Sequence, residues 1–256
     1  LGHDGLVING TTGEAPTTSD GEKADLVHAV VEAVGDRAAV LAGVGTFNTE
    51  HTLELAADAA KLGVDGLLVV TPYYSKPPQA GLLEHFRRVA DATEVPVMLY
   101  DIPGRSGTPI RTETLLRLAE HPRIVAVKDA KGDLAASTRV MAESDLAYYS
   151  GDDALTLPLL SIGAVGVVGT STHFSGQGMK AMIEAYLAGD VAGATRLHHQ
   201  LLPIFTGIFA TQGCILVKAG LALQGRPVGG VRSPLVVATP AEVEALGIAL
   251  AASGLG

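Results

Sequence analysis

PVMLYDIP, residues 96 to 103, is a short apolar run that ends in small and polar residues, and the same pattern recurs along the chain. GLVIN at 5 to 9, AAVLAG at 38 to 43 and GLLVVTP at 66 to 72 precede it; IVAVKD at 124 to 129, LAYYSGD at 146 to 152 and VGVVGT at 165 to 170 follow. These runs are apolar nearly throughout instead of alternating, as strands covered on both faces must be. Between them lie stretches with apolar residues three to four apart: EKADLVHAVVEAV at 22 to 34, TLELAADAAKLG at 52 to 63 and LLEHFRRVADA at 82 to 92. Strand and helix alternate at intervals of roughly 20 to 35 residues, the scale of one βα unit, which predicts an α/β fold with a wound parallel sheet or a barrel.

Seven such strands are one short of a closed (β/α)8 TIM barrel. The expectation is a barrel over residues 1 to 173 whose first strand and helix precede Leu1. Residues 174 to 256 then form the last barrel helix and a C-terminal helical extension, with helical segments near 174 to 188, 191 to 225 and 240 to 252. The chain opens at Leu1 without Met or an apolar signal region, so upstream residues are expected. An open doubly wound sheet is the alternative. Its token, GVGTFN at 43 to 48, lacks the third glycine of a dinucleotide fingerprint.

The 256 residues are 47% hydrophobic with a mean hydropathy of +0.32, enough apolar material for one large domain. The balance of 18 Lys and Arg against 27 Asp and Glu gives a net charge of -9, with no basic stripe, so nucleic acid is not the expected partner. Cys214 is the single cysteine, which excludes an intrachain disulfide and a cysteine-based zinc site and suits a reducing cytoplasm. It reads as a buried structural thiol. No apolar stretch reaches the roughly 18 residues of a membrane span. His198 and His199, adjacent on a predicted helix, point to different faces and read as surface residues, not as a chelating pair.

Ligand chemistry in parallel α/β folds gathers beyond the C-terminal strand ends. Lys128, directly after IVAV, is either a desolvated amine that can attack a carbonyl or a lysine that snorkels to the rim or pairs with Asp129. Tyr100 is a proton-shuttling phenol or a core aromatic. Arg105, in the tight loop DIPGRSG, clamps a carboxylate or lies on the surface. GTTGE at 10 to 14 offers backbone N–H groups and threonine hydroxyls to an anion, or simply caps a helix. Asp152 and Asp153 read as an N-cap before a helix; no histidine or third acid completes a metal cage.

Taken together, GTTGE at 10 to 14, TPYYSKPPQ at 71 to 79, LYDIPGRSG at 99 to 107, VKDAKG at 127 to 132 and SGDDA at 150 to 154 resemble the signature series of the dihydrodipicolinate synthase family. That family lies within the pyruvate-dependent class I aldolases, and the likeness runs over nearly the whole chain. The resemblance implies an enzyme that condenses pyruvate with L-aspartate 4-semialdehyde in lysine and diaminopimelate biosynthesis, without metal or organic cofactor. It implies that Lys128 forms the imine with pyruvate and that Tyr100, Thr11 and Tyr74 relay protons. Thr12 and the backbone at Val168 would hold pyruvate, Arg105 the carboxylate of the semialdehyde, and Gly151 would line the site by its backbone. It further implies a homotetramer of tight dimers in which Tyr74 reaches a neighbouring subunit.

Arg105 and the paired threonines separate this family from the N-acetylneuraminate lyases and 2-keto-3-deoxy sugar acid aldolases, which remain the alternative, as does a non-catalytic keto-acid-binding barrel. Two departures from the family pattern carry expectations. Ala15, Asp20, Lys23, Phe47 and His51 replace residues of lysine-inhibited members, which predicts weak or absent feedback. GVVGTSTHFS at 166 to 175 adds Gly169 and His173 near the site.

Overall fold

In the computed structural model, which describes residues 2 to 256, the seven apolar runs form seven strands of one parallel sheet in sequential order. They are β1 (Gly5–Ile8), β2 (Ala39–Gly43), β3 (Gly66–Val70), β4 (Val97–Asp101), β5 (Ile124–Asp129), β6 (Ala147–Ser150) and β7 (Gly166–Val167). The helices are α1 (Asp20–Val34), α2 (Thr49–Lys61), α3 (Gln79–Asp91), the short α4 (Pro103–Ser106), α5 (Thr112–Ala119), α6 (Leu134–Glu143) and α7 (Thr156–Leu160). They continue with α8 (Thr172–Leu187), α9 (Val191–Gly207), α10 (Gly213–Leu223) and α11 (Pro240–Ala252). The stretch 191 to 225, read as one helical segment, is two helices: the chain breaks after Gly207, and the Gln212 side chain starts α10 by accepting from the Cys214 N–H at 2.7 Å.

Helix starts follow local chemistry. Ser19 and Glu22 form a reciprocal capping box at α1, Thr239 and Glu242 another at α11, where Pro240 occupies the first turn. Successive side chains of a strand point to opposite faces. One face of the sheet carries Leu67, Val69, Val97, Leu99 and Val127 into a core shared with Phe86 and Leu115 of the surrounding helices. The other face carries Leu68, Met98, Tyr100 and Ala126 into the concave interior, with Tyr149 and Val168 packed beside them. A separate core joins α8 to α9, α10 and α11 through Phe174, Met182, Leu201, Phe205, Leu216 and Leu250.

One irregularity decides the site. Val97 pairs with Ile124, but Met98 pairs with Ala126, so Val125 is an extra residue in β5. The bulge places Lys128 opposite Tyr100 on one side and Tyr149 on the other. Without it Val127 would stand beside Tyr100, and Lys128 would turn to the outer face, because a one-residue slip reverses every side chain.

The curled sheet runs from β1 to β7, and no ladder joins these two strands to each other. β7 is shorter than the apolar run VGVVGT predicts. Val168 still donates to the Ser150 carbonyl (2.8 Å), but Thr170 turns its N–H to the Asp153 carboxylate (3.1 Å), away from the sheet.

Candidate active site

A continuous cavity of about 1720 Å³ opens at the C-terminal strand ends and extends down between β1 and β7. Thr11, Thr12, Tyr100, Arg105, Lys128, Gly151 and Val168 all line it; Tyr74 does not. Tyr74 is 93% exposed, with its backbone at φ 72°, a left-handed conformation that costs a non-glycine residue energy. The loop therefore holds this phenol out toward solvent, away from its own chain's cavity.

The Lys128 Nζ lies 4.2 Å from the centroid of the Tyr100 ring. Burial pulls its pKa down to about 8; the Asp153 carboxylate opposes that shift and the Arg105 guanidinium adds to it. An amine in this range is still mostly protonated at neutral pH, but it presents a far larger fraction of the neutral form that attacks a carbonyl than an ordinary lysine does. The pairing with Asp129 does not occur. Asp129 faces the other side of the sheet, where it accepts from the Ser137 hydroxyl and the Lys131 N–H (2.8 Å), while Asp101 there pairs with Lys131 at 3.4 Å.

Tyr100 is 5% exposed, and burial pushes its pKa up to about 12; Arg105 and the neighbouring Thr11 hydroxyl pull the other way, by less. A resting phenolate is thus excluded near neutral pH. Such a phenol moves a proton only if it passes one on as it takes one. Arg105 sits on α4, whose end is set by Gly107 at φ 79°. Among the described residues Arg105 pairs with no carboxylate, and of the arginines in that state only it and Arg226 line the cavity. Arg105 leaves an exposed, uncompensated guanidinium at the cavity mouth, the geometry that receives a ligand carboxylate.

Thr11 and Thr12 lie in a single 3₁₀ turn, Thr11–Gly13, and the Thr12 hydroxyl is 3.4 Å from that of Thr170. At Gly151 an added Cβ would stand 3.0 Å from the Ala130 Cβ and 3.1 Å from the Lys128 Cγ, so the glycine keeps room for the lysine stem. The Val168 N–H is committed to Ser150, which leaves only its carbonyl oxygen for a ligand: an acceptor, suited to a protonated group and not to a carboxylate.

The SGDDA segment does two jobs that the sequence does not separate. Asp152 is the N-cap, accepting from the Ala154 N–H at 2.9 Å. Asp153 is fully buried and accepts from the Ser171 hydroxyl (2.8 Å) as well as the Thr170 N–H. Its charge raises the Lys128 pKa, and it shapes the turn that carries Thr170 to Thr12; a Cβ on Gly169 would collide with it. Among the described residues no group of three His, Cys, Asp or Glu is arranged to hold a metal ion, and no helix is long and apolar enough to cross a membrane. His173 lines the cavity, its Nδ1 2.8 Å from the Thr170 carbonyl. Cys214 is buried. His198 corrects the sequence reading: it is half-buried against Phe205, with ring centroids 5.9 Å apart.

Fold and side chains together define an α/β enzyme equipped for amine chemistry on a small carbonyl compound. The model of the dihydrodipicolinate synthetase family matches residues 1–253, and the chain belongs to that family. A 4-hydroxy-tetrahydrodipicolinate synthase of Acidothermus cellulolyticus is 68% identical over 99% of this chain and 82% of its own length. A second, from Streptomyces coelicolor, is 63% identical over 99% of this chain and 85% of its own. The crystal structure of the dihydrodipicolinate synthase of Cyanidioschyzon merolae, with lysine bound, superposes with a TM-score of 0.98 at 43% identity, covering 100% of this chain and 88% of that one.

Proposed function

We propose that the chain condenses pyruvate with L-aspartate 4-semialdehyde to 4-hydroxy-tetrahydrodipicolinate, with Lys128 as the amine that carries pyruvate. The observation behind this reading is the desolvated Lys128, near pKa 8, within 4.2 Å of the Tyr100 ring. Lys128 Nζ adds to the keto carbon of pyruvate, and loss of water gives an iminium. The iminium draws electrons from the methyl group, which loses a proton to become an enamine carbon. That carbon bonds to the aldehyde carbon of the semialdehyde, whose oxygen takes up a proton. The substrate's own amine then displaces Lys128 and closes the ring, so one water leaves per turnover. Every step uses side-chain and substrate groups alone.

Tyr100 and Thr11 move the protons in concert, as a phenol near pKa 12 requires. Thr12 holds the pyruvate carboxylate, the Val168 carbonyl accepts from the protonated keto side, Gly151 lines the pocket and Arg105 binds the semialdehyde carboxylate. Tyr74 completes the relay of a neighbouring copy, within a homotetramer of tight dimers in the cytoplasm; its exposure and left-handed backbone support a role outside its own chain's cavity.

The same reading closes the barrel. An eighth parallel strand, with its helix, bridges β1 and β7, making residues 1 to 173 the rest of the barrel and 174 to 256 its last helix and extension. Ligand cavities are ordinarily about 300 to 1,000 Å³. The larger cavity here is lined also by Gly5, Leu6 and Val7 of β1, by Gly166 and Val167 of β7, and by Met179 and Ile183 of α8. Val165 and Leu187 beside it are 48% and 65% exposed.

A coupled assay separates this function from the sugar-acid aldolases. Turnover is expected with pyruvate plus the semialdehyde and not with sialic acid or keto-deoxy gluconate; turnover confined to the sugar acids contradicts it. Arg105→Ala is expected to raise the KM for the semialdehyde about 10- to 100-fold, the worth of one charge-assisted carboxylate contact, with imine formation from pyruvate unchanged.

A further inference from the structure

Glu14 closes the GTTGE loop, and no step of the reaction written above uses it. Its side chain is 9% exposed and its backbone is held at φ 56°, an uncommon setting for a residue with a Cβ. Two groups from the C-terminal extension converge on its carboxylate. Lys218 of α10 places Nζ 2.6 Å from Oε2, and the backbone N–H of Arg232 donates to Oε1 at 2.7 Å. Burial alone would raise the Glu14 pKa, but these partners outweigh it and keep the carboxyl below its ordinary range.

The partners are themselves tied down. Lys218 Nζ also donates to the Gly230 carbonyl at 2.6 Å. The Arg232 guanidinium spans both oxygens of Glu22 on α1 (2.7 and 2.8 Å) and the Thr17 carbonyl (3.1 Å). α10 and the segment that follows it thus strap the loop from two sides, and Glu14 is their buried anchor. The Glu14 carboxylate is buried and each charge is also hydrogen-bonded elsewhere, so the pair holds its partners in one geometry and transmits position from one to the other. Thr11 and Thr12 lie three and two residues from the anchor, inside the same turn, where the Glu14 N–H donates to the Thr11 carbonyl at 3.2 Å.

We propose that Glu14 is a positioning residue, whose ion pair with Lys218 lets the C-terminal extension hold the Thr11–Thr12 turn in the geometry that binds pyruvate. The proposal rests on the assignment of that turn to pyruvate. It is tested in the full chain by Glu14→Gln, Lys218→Met, the double variant and Lys218→Arg, with Thr12→Val as reference. Each single removal is expected to raise the KM for pyruvate, and to slow imine formation, by about tenfold, the worth of one charge-assisted bond. The double variant should be no worse than either single, Lys218→Arg should restore most of the affinity, and the KM for the semialdehyde should move less than about twofold. If Tm falls but the KM for pyruvate holds in both single variants, while Thr12→Val raises it, the pair is only structural and the proposal is overturned. If Thr12→Val also leaves the KM unchanged, the assignment of the turn to pyruvate falls with it. Lys218→Met acts at a partly exposed side chain and keeps the test open should Glu14→Gln not fold.

Discussion

Lys128→Met is expected to abolish turnover, by on the order of 10⁵-fold, because loss of a covalent nucleophile removes the reaction path itself and not one contact along it. The protein should remain folded. The folded-state pKa of Lys128, about 8, lies below its ordinary 10.5, so the folded chain sheds this proton first. Stability from this group therefore grows as pH rises from about 8 toward 10.5 and is lost as pH falls back through that window. At neutral pH the buried ammonium is a cost, and Lys128→Met is expected to keep or raise Tm. In the unaltered enzyme imine formation should speed up with pH and level off above about 8, as the neutral amine accumulates. A variant that keeps turnover, or a rate flat across that range, would remove Lys128 from the chemistry.

Tyr100→Phe is expected to lower kcat by 10²- to 10⁴-fold, the usual worth of a positioned proton donor and acceptor. The ring remains, so packing against Leu68 and Met98 and the contact with the Lys128 ammonium survive. Stability should barely change, since only a hydroxyl is lost. Trapping of the pyruvate imine should slow but still reach completion, because the amine is intact. Stopped-flow measurement of imine formation beside steady-state kcat separates the two effects. An unchanged kcat would place the proton transfers on other groups.

Local pattern made much of this fold readable. IVAVKD forms β5 residue for residue, and the apolar run PVMLYDIP contains β4, because continuous apolar stretches have one good destination in a parallel sheet covered on both faces. The capped starts of α1 and α11 are equally local. What escaped reading depends on register or on distant partners. Nothing in IVAVKD says that Val125 bulges, yet that extra residue turns Lys128 inward beside Tyr100. VGVVGT promises a longer β7 than forms, because Asp153, distant in sequence, draws the chain away at Thr170. The same Asp153 was readable only as a cap or a metal ligand; its burial next to Lys128 is a tertiary fact.

The candidate site divides along the same line. Residues at strand ends or in the tight loops next to them, Lys128, Tyr100, Thr11, Thr12, Arg105, Gly151 and Val168, come together in one cavity because the sheet delivers all strand ends to one rim. Tyr74 lies farther along its loop, where backbone conformation instead of the sheet sets direction, and it points outward. Glu14 looked like the end of an anion-binding loop, and only the folded chain shows Lys218 and Arg232 arriving from more than two hundred residues away.

Borohydride reduction of the full chain in the presence of pyruvate, followed by peptide mass analysis, tests the central claim most directly. The expected result is a single reduced pyruvate adduct, a secondary amine on Lys128, that forms only when pyruvate is present and accompanies loss of activity. No adduct on Lys128 in the folded protein, or an adduct on another lysine with activity lost in step, would contradict the account.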